Sequence, residues 1–360
     1  MVECTSPRKL LCSYKTNRAL SAADAIGGTA RPSPSAMSDV GLVELRWLRG
    51  RSQWKFASEA AFIVQPREGC GLGVFARYDF EPGDCLIAEK PLAAWDIDTS
   101  SAHTDLAELD KIVDALSPSE RRDFLDLCDS HACSGQPKTL FGIWSSNAYM
   151  REFGDCFEPA EDHISHAAVF STICRINHAC RPNAHVAWNH GSRRQTVHAL
   201  RRIAAGEEIT VCYLGAGALA TRATRFVTLS RTKRFYCVCA ACSLSGQALA
   251  ESEERMRRVA SLQAQLLEPA ASHSAPLVEL LDELWRLAVA EGAPGAWLRA
   301  EVLAGMVHAQ KAGSDALALQ WAQRGAESAR LALGADAPTT SKFEILAKRA
   351  SARIRDALHV

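Results

Sequence analysis

Three cysteines fall within six residues at CVCAAC (237–242), and this spacing constrains the chain more than any other feature. A C-x-C-x-x-C loop delivers three thiolates to one place. Zinc prefers four tetrahedral ligands, so one more must come from a distant segment. Cys180, in INHACRPN (176–183), is the best candidate, with Cys174, Cys212 and several histidines as competitors. The plainer reading is a chance cluster of small buried thiols. The chain has 13 cysteines, an odd number, and its N-terminus lacks the apolar core of a secretory signal. Reduced thiols or metal ligands are therefore expected in place of a disulfide framework. None lies beyond Cys242, which leaves the last third of the chain out of any cysteine chemistry.

At 360 residues the chain has room for two domains, and 48% apolar with 23% charged residues is ordinary for a globular protein. The formal net charge of +0 gives no electrostatic ground for nucleic-acid or anionic-membrane binding. No apolar run approaches the ~20 residues of a membrane span. Residues 1–50 are expected to be a disordered tail. Residues 1–40 also carry the Ser/Ala/Thr-rich, Arg-leaning texture of an organellar transit peptide, and a start at Met37 would remove most of them.

From Trp54 onward, FIVQ (62–65), GVFA (73–76) and CLIAEK (85–90) read as short strands, with a turn at EPGD (81–84). LAELDKIVDAL (106–116) switches to helical spacing and places Leu106, Leu109, Ile112, Val113 and Leu116 on one face. Ser117, Pro118 and Glu120 form a capping-box signature for a second helix. Faint helical texture returns at 164–175. NAHVAW (183–188) and QTVHAL (195–200) alternate as strands do, and IAAGEEITVCY (203–213) has a Gly turn leading into a strand. Strands, a helical insertion and strands again point to an α+β domain. Beyond Gly246 the texture is helical to the end, with helices expected at 249–267, 275–291, 296–312, 314–333 and 340–357. Paired helices with tight loops resemble a tetratricopeptide-like stack, although the 34-residue signature of that repeat is not clear.

RINHACRPN (175–183), GEEITVCY (206–213) and CVCAAC (237–242), in that order, resemble the SET-domain protein-lysine methyltransferases. The likeness is to the SET–MYND branch and its SET-only fungal relatives. GCGLGVFARYDFEPGDCLIAEKPL (69–92) is similar to the opening strands of that family, and SSNAY (145–149) to its Asn-aromatic element. The MYND finger is absent, and the helical insertion at about 101–135 stands where that branch inserts it. The resemblance implies a SET-domain β-fold with a pseudoknot over 54–245, ending in a zinc-binding post-SET loop at 235–245. An all-α C-terminal domain would follow over 246–360.

The resemblance also implies S-adenosylmethionine and Zn2+ as cofactors. Tyr213 would be the catalytic tyrosine that orients amine and methyl group. Asn177, His178, Asn147, Gly71, Gly73 and Phe235 would bind the cofactor, with Phe235 stacking on the adenine. Tyr149 would wall the lysine channel, and Cys180, Cys237, Cys239 and Cys242 would hold zinc. Arg175, Asn183 and Glu207 are read as structural. Lys233, in TKRFYC, departs from the pattern, because relatives usually carry Tyr or Trp there, lining the channel. A cation at that position would oppose a cationic substrate, unless Tyr236 or another aromatic substitutes or Lys233 points away.

The implied function is methyl transfer from a sulfonium to the neutral amine of a lysine on a protein substrate. The expected form is a monomer that binds neither nucleic acid nor membrane, in cytoplasm, nucleus or both. The competing expectation is a catalytically weak SET protein that serves as a zinc-stabilised interaction scaffold.

Overall fold

A computed structural model describes residues 61–69, 71–98, 106–132, 136–150, 164–268, 276–293 and 295–358. The expected disordered tail and the outer parts of the 101–135 insertion lie outside these residues. Short strands build three small sheets. The first joins β1 (Phe62–Arg67), β2 (Gly71–Ala76), β10 (Glu208–Val211) and β7 (Asn177–His178), in that order. Its β10–β7 pairing is parallel, with Thr210 opposite Asn177 and Val211 opposite His178, whereas β1–β2 and β2–β10 are antiparallel. The second sheet orders β3 (Cys85–Glu89), β9 (Arg194–Ala199) and β8 (Ala184–Asn189). The third orders β4 (Ala93–Asp98), β6 (Ile164–Val169) and β5 (Tyr149–Met150).

The turn residues act as their chemistry requires. Gly83 in EPGD has φ 90, and Gly206 ahead of β10 has φ 82, a region that costs a residue with a Cβ about 1–2 kcal/mol. The first two sheets share a core of Val74, Phe80, Leu86, Ile87, Val197, Ile209 and Val211. The third sheet packs against helices α1 (Leu106–Asp114), α2 (Pro118–Asp126) and α3 (Leu140–Asn147) around Leu109, Val113, Phe124, Ile143 and Val169. Trp95 and Trp144 meet edge-on there, with ring centroids 5.5 Å apart. The reciprocal Ser117–Glu120 capping box forms as expected at the start of α2.

One expectation fails locally. Residues 164–175 are not helical: ISHAAV is β6, paired antiparallel with β4 along its length, and only Ile173–Arg175 make a 3₁₀ turn. Ala167, Ala168 and Val169 are all buried, and a short apolar run of this kind carries no periodicity that separates strand from helix. LFGIWSSN is a helix that sequence texture does not announce. Thr139 caps it, and Gly142 lies where the Asp129 carboxylate comes so close that a Cβ would stand 2.0 Å from Oδ2.

After α4 (Arg222–Thr232), the chain runs through the cysteine loop into α5 (Gly246–Leu267), α6 (Leu277–Ala290), α7 (Arg299–Lys311), α8 (Asp315–Leu333) and α9 (Pro338–Leu358). These bounds match the expected helices to within a few residues. Small residues permit close helix packing. A Cβ on Gly305 would fall 2.4 Å from the Trp321 ring, and one on Gly325 would fall 2.5 Å from Phe343. Trp321 is fully buried, as expected of a core residue, and no helix among the described residues is long and apolar enough to cross a membrane. Helix α8 packs on β8 and β9, so the helical region braces the second sheet.

Candidate functional site

The parallel β7–β10 pair determines the geometry of the site. When β10 ends at Val211, the chain turns so that the Tyr213 backbone N–H donates to His178 Nδ1 at 3.0 Å. Nδ1 must then be unprotonated, which puts the proton of a neutral ring on Nε2. Nε2 lies 3.3 Å from Cys180 Sγ and points its hydrogen at sulfur. Burial, with a further contribution from Arg225, pushes the His178 pKa down to about 4 against an opposing pull from Cys239, so the ring is neutral near pH 7. The His178 side chain is thus committed at both nitrogens, to holding Tyr213 and facing Cys180. Only its backbone is open to the expected cofactor role.

The four sulfurs of Cys180, Cys237, Cys239 and Cys242 all lie within 4.8 Å of one another, and their geometry fits a metal. Tetrahedral Zn–S bonds of ~2.3 Å require sulfurs about 3.8 Å apart. Cys180 lies 4.0 Å from Cys237 and 3.5 Å from Cys242. The set contains no hard oxygen donor, which favours zinc over magnesium or calcium. Hydrogen bonds from Cys180, Cys237 and Cys242 draw Cys239 down toward the thiolate, whereas contacts with Cys237, Cys239 and Cys242 push Cys180 up. The rivals for the fourth place are occupied elsewhere. Cys174 donates to the Asn147 carbonyl at 3.3 Å, and Cys212 turns toward the Gly215 carbonyl. Burial raises both thiols to about 12.

Arg225, only 4% exposed, reaches Cys242 Sγ at 3.6 Å with one guanidinium nitrogen and the Ala220 carbonyl with another. Four thiolates around Zn2+ carry a net charge of −2, which a buried guanidinium offsets in part. No motif marks this residue in the sequence. Its counter-charge lies 17 positions along the chain and becomes visible only once the loop folds back.

Beside the sulfur cluster opens a cavity of about 1950 Å³, larger than the ~300–1,000 Å³ of a typical small-molecule pocket. Asn147, Tyr149, Asn177, His178, Tyr213 and Phe235 all line it. Tyr213 donates its hydroxyl hydrogen to the Ile176 carbonyl at 2.6 Å, which directs the oxygen lone pairs elsewhere. Its ring lies 5.2 Å from His178 and 6.4 Å from Phe235, and Phe235 in turn meets His178 edge-on at 5.9 Å. Tyr149 packs against Phe170, and burial holds its phenol neutral.

The two asparagines share a pattern. The Asn177 amide nitrogen donates to the Leu72 carbonyl at 3.0 Å and to Glu208 Oε1 at 2.8 Å. That of Asn147 donates to the carbonyls of Cys128 and Ile143 at 2.6 and 2.7 Å. Each amide spends its donors on the protein, so its oxygen is the group suited to a ligand's hydrogen-bond donors. Gly71 takes φ 79 with open space beside its α-carbon. Gly73 does not line the cavity. Its missing side chain makes room for Glu208 and Asn177, whose atoms would stand 2.8 and 3.1 Å from a Cβ.

Of the residues read as structural, Asn183 and Glu207 bridge segments, whereas the Arg175 bond stays within its own turn. Asn183, 1% exposed, accepts from the Thr210 N–H and donates to the Glu208 carbonyl and to Glu207, which also pairs with Arg201. Arg175 donates to the Ser171 carbonyl. Lys233 does not point away: it lines the cavity, with Nζ 5.7 Å from the centre of the Tyr213 ring. The exposed Tyr236 also borders the cavity and meets Phe226 edge-on.

Residues 71–214 match the family model of the SET domain, and the small sheets, sulfur cluster and helical C-terminal region agree with that class. Histone-lysine N-methyltransferase set5 of Schizosaccharomyces pombe is 28% identical over 201 residues, 56% of this chain and 54% of that protein. The chain therefore spans about half the length of the curated relative it matches.

Proposed function

We propose that this chain is a protein-lysine methyltransferase that uses S-adenosylmethionine, with Zn2+ as a structural ion. One observation carries the reading: Tyr213, His178 and Cys180 form a single hydrogen-bonded chain at the wall of a cavity that Asn177, Asn147 and Phe235 also line. The free asparagine oxygens, the phenyl face of Phe235 and the open space at Gly71 suit a ligand with an ammonium end and a planar ring. Bound S-adenosylmethionine would supply a methyl group on a cationic sulfur, ready for direct displacement.

The chain's own residues would do the remainder. A free lysine with pKa ~10.4 is protonated at pH 7, and deprotonating it costs about 4–5 kcal/mol. Burial beside Tyr149 and Tyr213 opposes the charged form and offsets part of that cost. The Tyr213 hydroxyl oxygen, its hydrogen committed to Ile176, is an acceptor that can hold the amine in line. Cys237, Cys239, Cys242 and Cys180 would hold zinc and so fix Phe235 against His178.

Titration calorimetry with S-adenosylmethionine, followed by transfer of labelled methyl to a lysine peptide library, tests the proposal. Asn177→Ala is expected to weaken binding about tenfold or more, the worth of one or two hydrogen bonds. Tyr213→Phe is expected to keep binding within about twofold and to lower kcat about 100-fold. A zinc-loaded protein that binds no cofactor and transfers no methyl group would refute the enzyme and leave the scaffold reading, which Lys233 in the cavity favours.

A further inference from the structure

Lys233 is the one ammonium aimed into the aromatic part of the cavity among the described residues. It follows α4, and Arg234 behind it adopts φ 62, a conformation that a non-glycine residue keeps only when its surroundings enforce it. The turn faces both Lys233 and Phe235 to the cavity. Nζ donates to the Ser146 carbonyl at 3.0 Å and lies over the Tyr213 ring. These contacts are what a bound lysine amine would make: one carbonyl acceptor and one aromatic face.

Lys233 has no carboxylate partner among the described residues. Burial lowers its pKa, and the only opposing pull comes from the thiols of Cys174 and Cys128, which burial itself keeps protonated. Asp129, between the lining residues Cys128 and Ser130, spends its carboxylate on the N–H groups of His131, Ala132 and Thr139. Of the carboxylates in the lining, Glu208 pairs with Arg67 and Glu207 with Arg201, and Asp126 makes no ion pair with Lys233. A half-buried cation held by one carbonyl and one aromatic face gains most from an anion brought by a ligand.

We infer that Lys233 selects the substrate: it occupies the place of an incoming lysine amine and yields it to a lysine that carries an acidic neighbour, whose carboxylate pairs with Nζ. The inference rests on the methyltransferase reading and names the substrate class for that same site. A substrate with basic residues flanking its lysine meets an extra cation and nothing to offset it. An acidic flank draws Nζ from Ser146 and clears the Tyr213 face.

The experiment uses full-length protein and three fluorescent peptides that differ only beside a central lysine, with Glu, Ala or Arg in the flanking positions. Anisotropy reads binding and labelled methyl reads transfer. The wild type is expected to favour the Glu peptide over the Arg peptide about tenfold in both. Lys233→Met, which keeps length and apolar bulk, is expected to bind the Ala peptide more tightly and to level the three. Lys233→Arg should keep the order. A wild type that favours Arg flanks or ranks all three alike overturns the inference, as does a preference retained in Lys233→Met. Binding of S-adenosylmethionine is measured separately by calorimetry. Its absence refutes the methyltransferase reading, whereas the anisotropy ranking judges the role of Lys233 by itself.

Discussion

A buried carboxylate ties the β-rich region to the helical region beside the α8 contact, and removing it should loosen both. Glu291, just past α6, is 5% exposed. It accepts from Arg255 Nε at 2.6 Å and Ser252 Oγ at 2.9 Å, both on α5, and from Arg181, the residue after Cys180. Breaking a buried ion pair by deleting one partner costs about 3–5 kcal/mol. Arg181 and Arg255 keep 33% and 31% of their side-chain surface in water, so they can rehydrate in part, and Glu291→Ala is expected to cost about 2–4 kcal/mol. Denaturant unfolding followed by tryptophan fluorescence reads the loss. In a double-mutant cycle, Arg181→Ala with Glu291→Ala should show coupling of about 1–2 kcal/mol. The pH dependence has a definite sign. Burial alone would raise the Glu291 carboxyl, but hydrogen bonds from Arg255, Arg181 and Ser252 prevail and hold it below the ordinary value. A depressed carboxyl contributes its full stability above the unfolded pKa of ~4.3 and loses it as pH falls through the lower folded value. The gap between wild type and Glu291→Ala should therefore be constant from pH 7 to about 5 and shrink below about 4. A cost under about 0.5 kcal/mol, or strictly additive single variants, would refute the coupling.

Metal analysis of the purified protein should find one zinc per chain, and chelation should lower Tm and weaken S-adenosylmethionine binding together, because Cys180 and Phe235 lose their common anchor. Arg225→Met should release zinc at lower chelator concentration than wild type, as measured with a chromogenic chelator, since it removes the cation beside Cys242. Gly325→Ala forces a Cβ to within 2.5 Å of the Phe343 ring and should cost about 1–3 kcal/mol in the unfolding assay, with zinc content unchanged.

The parts of the fold legible in sequence were those whose signal is local. The five C-terminal helices carry enough turns for periodicity to average out noise, and the Ser117–Glu120 box and the Gly83 and Gly206 turns each rest on one residue's stereochemistry. Helix α3 escaped because its cause is remote. Asp129, ten positions before Thr139, accepts from the N–H of that cap residue and fills the space that Gly142 leaves. The strand at 164–169 escaped because both its faces are covered, which erases alternation.

In the site, motifs name residues but not which of their atoms remain available. INHAC places an asparagine, a histidine and a cysteine in five residues, yet only the folded chain assigns both ring nitrogens of His178 to Tyr213 and Cys180, and the Asn177 hydrogens to Leu72 and Glu208. These commitments narrow the chemistry. A histidine with an accepting Nδ1 and a pKa of about 4 is no general base near neutral pH, because its basic nitrogen is taken and its other nitrogen is a donor. Asparagines whose donors are spent can only accept, so they favour a ligand rich in N–H and O–H groups. Among the described residues His178 offers no base on this wall, so on the proposed reading a proton lost by a substrate amine would leave through water. On the proposed reading the electrostatic surroundings of that amine would then govern the rate, and the ammonium that the fold places over Tyr213 is Lys233, the residue at which the sequence departs from the family pattern.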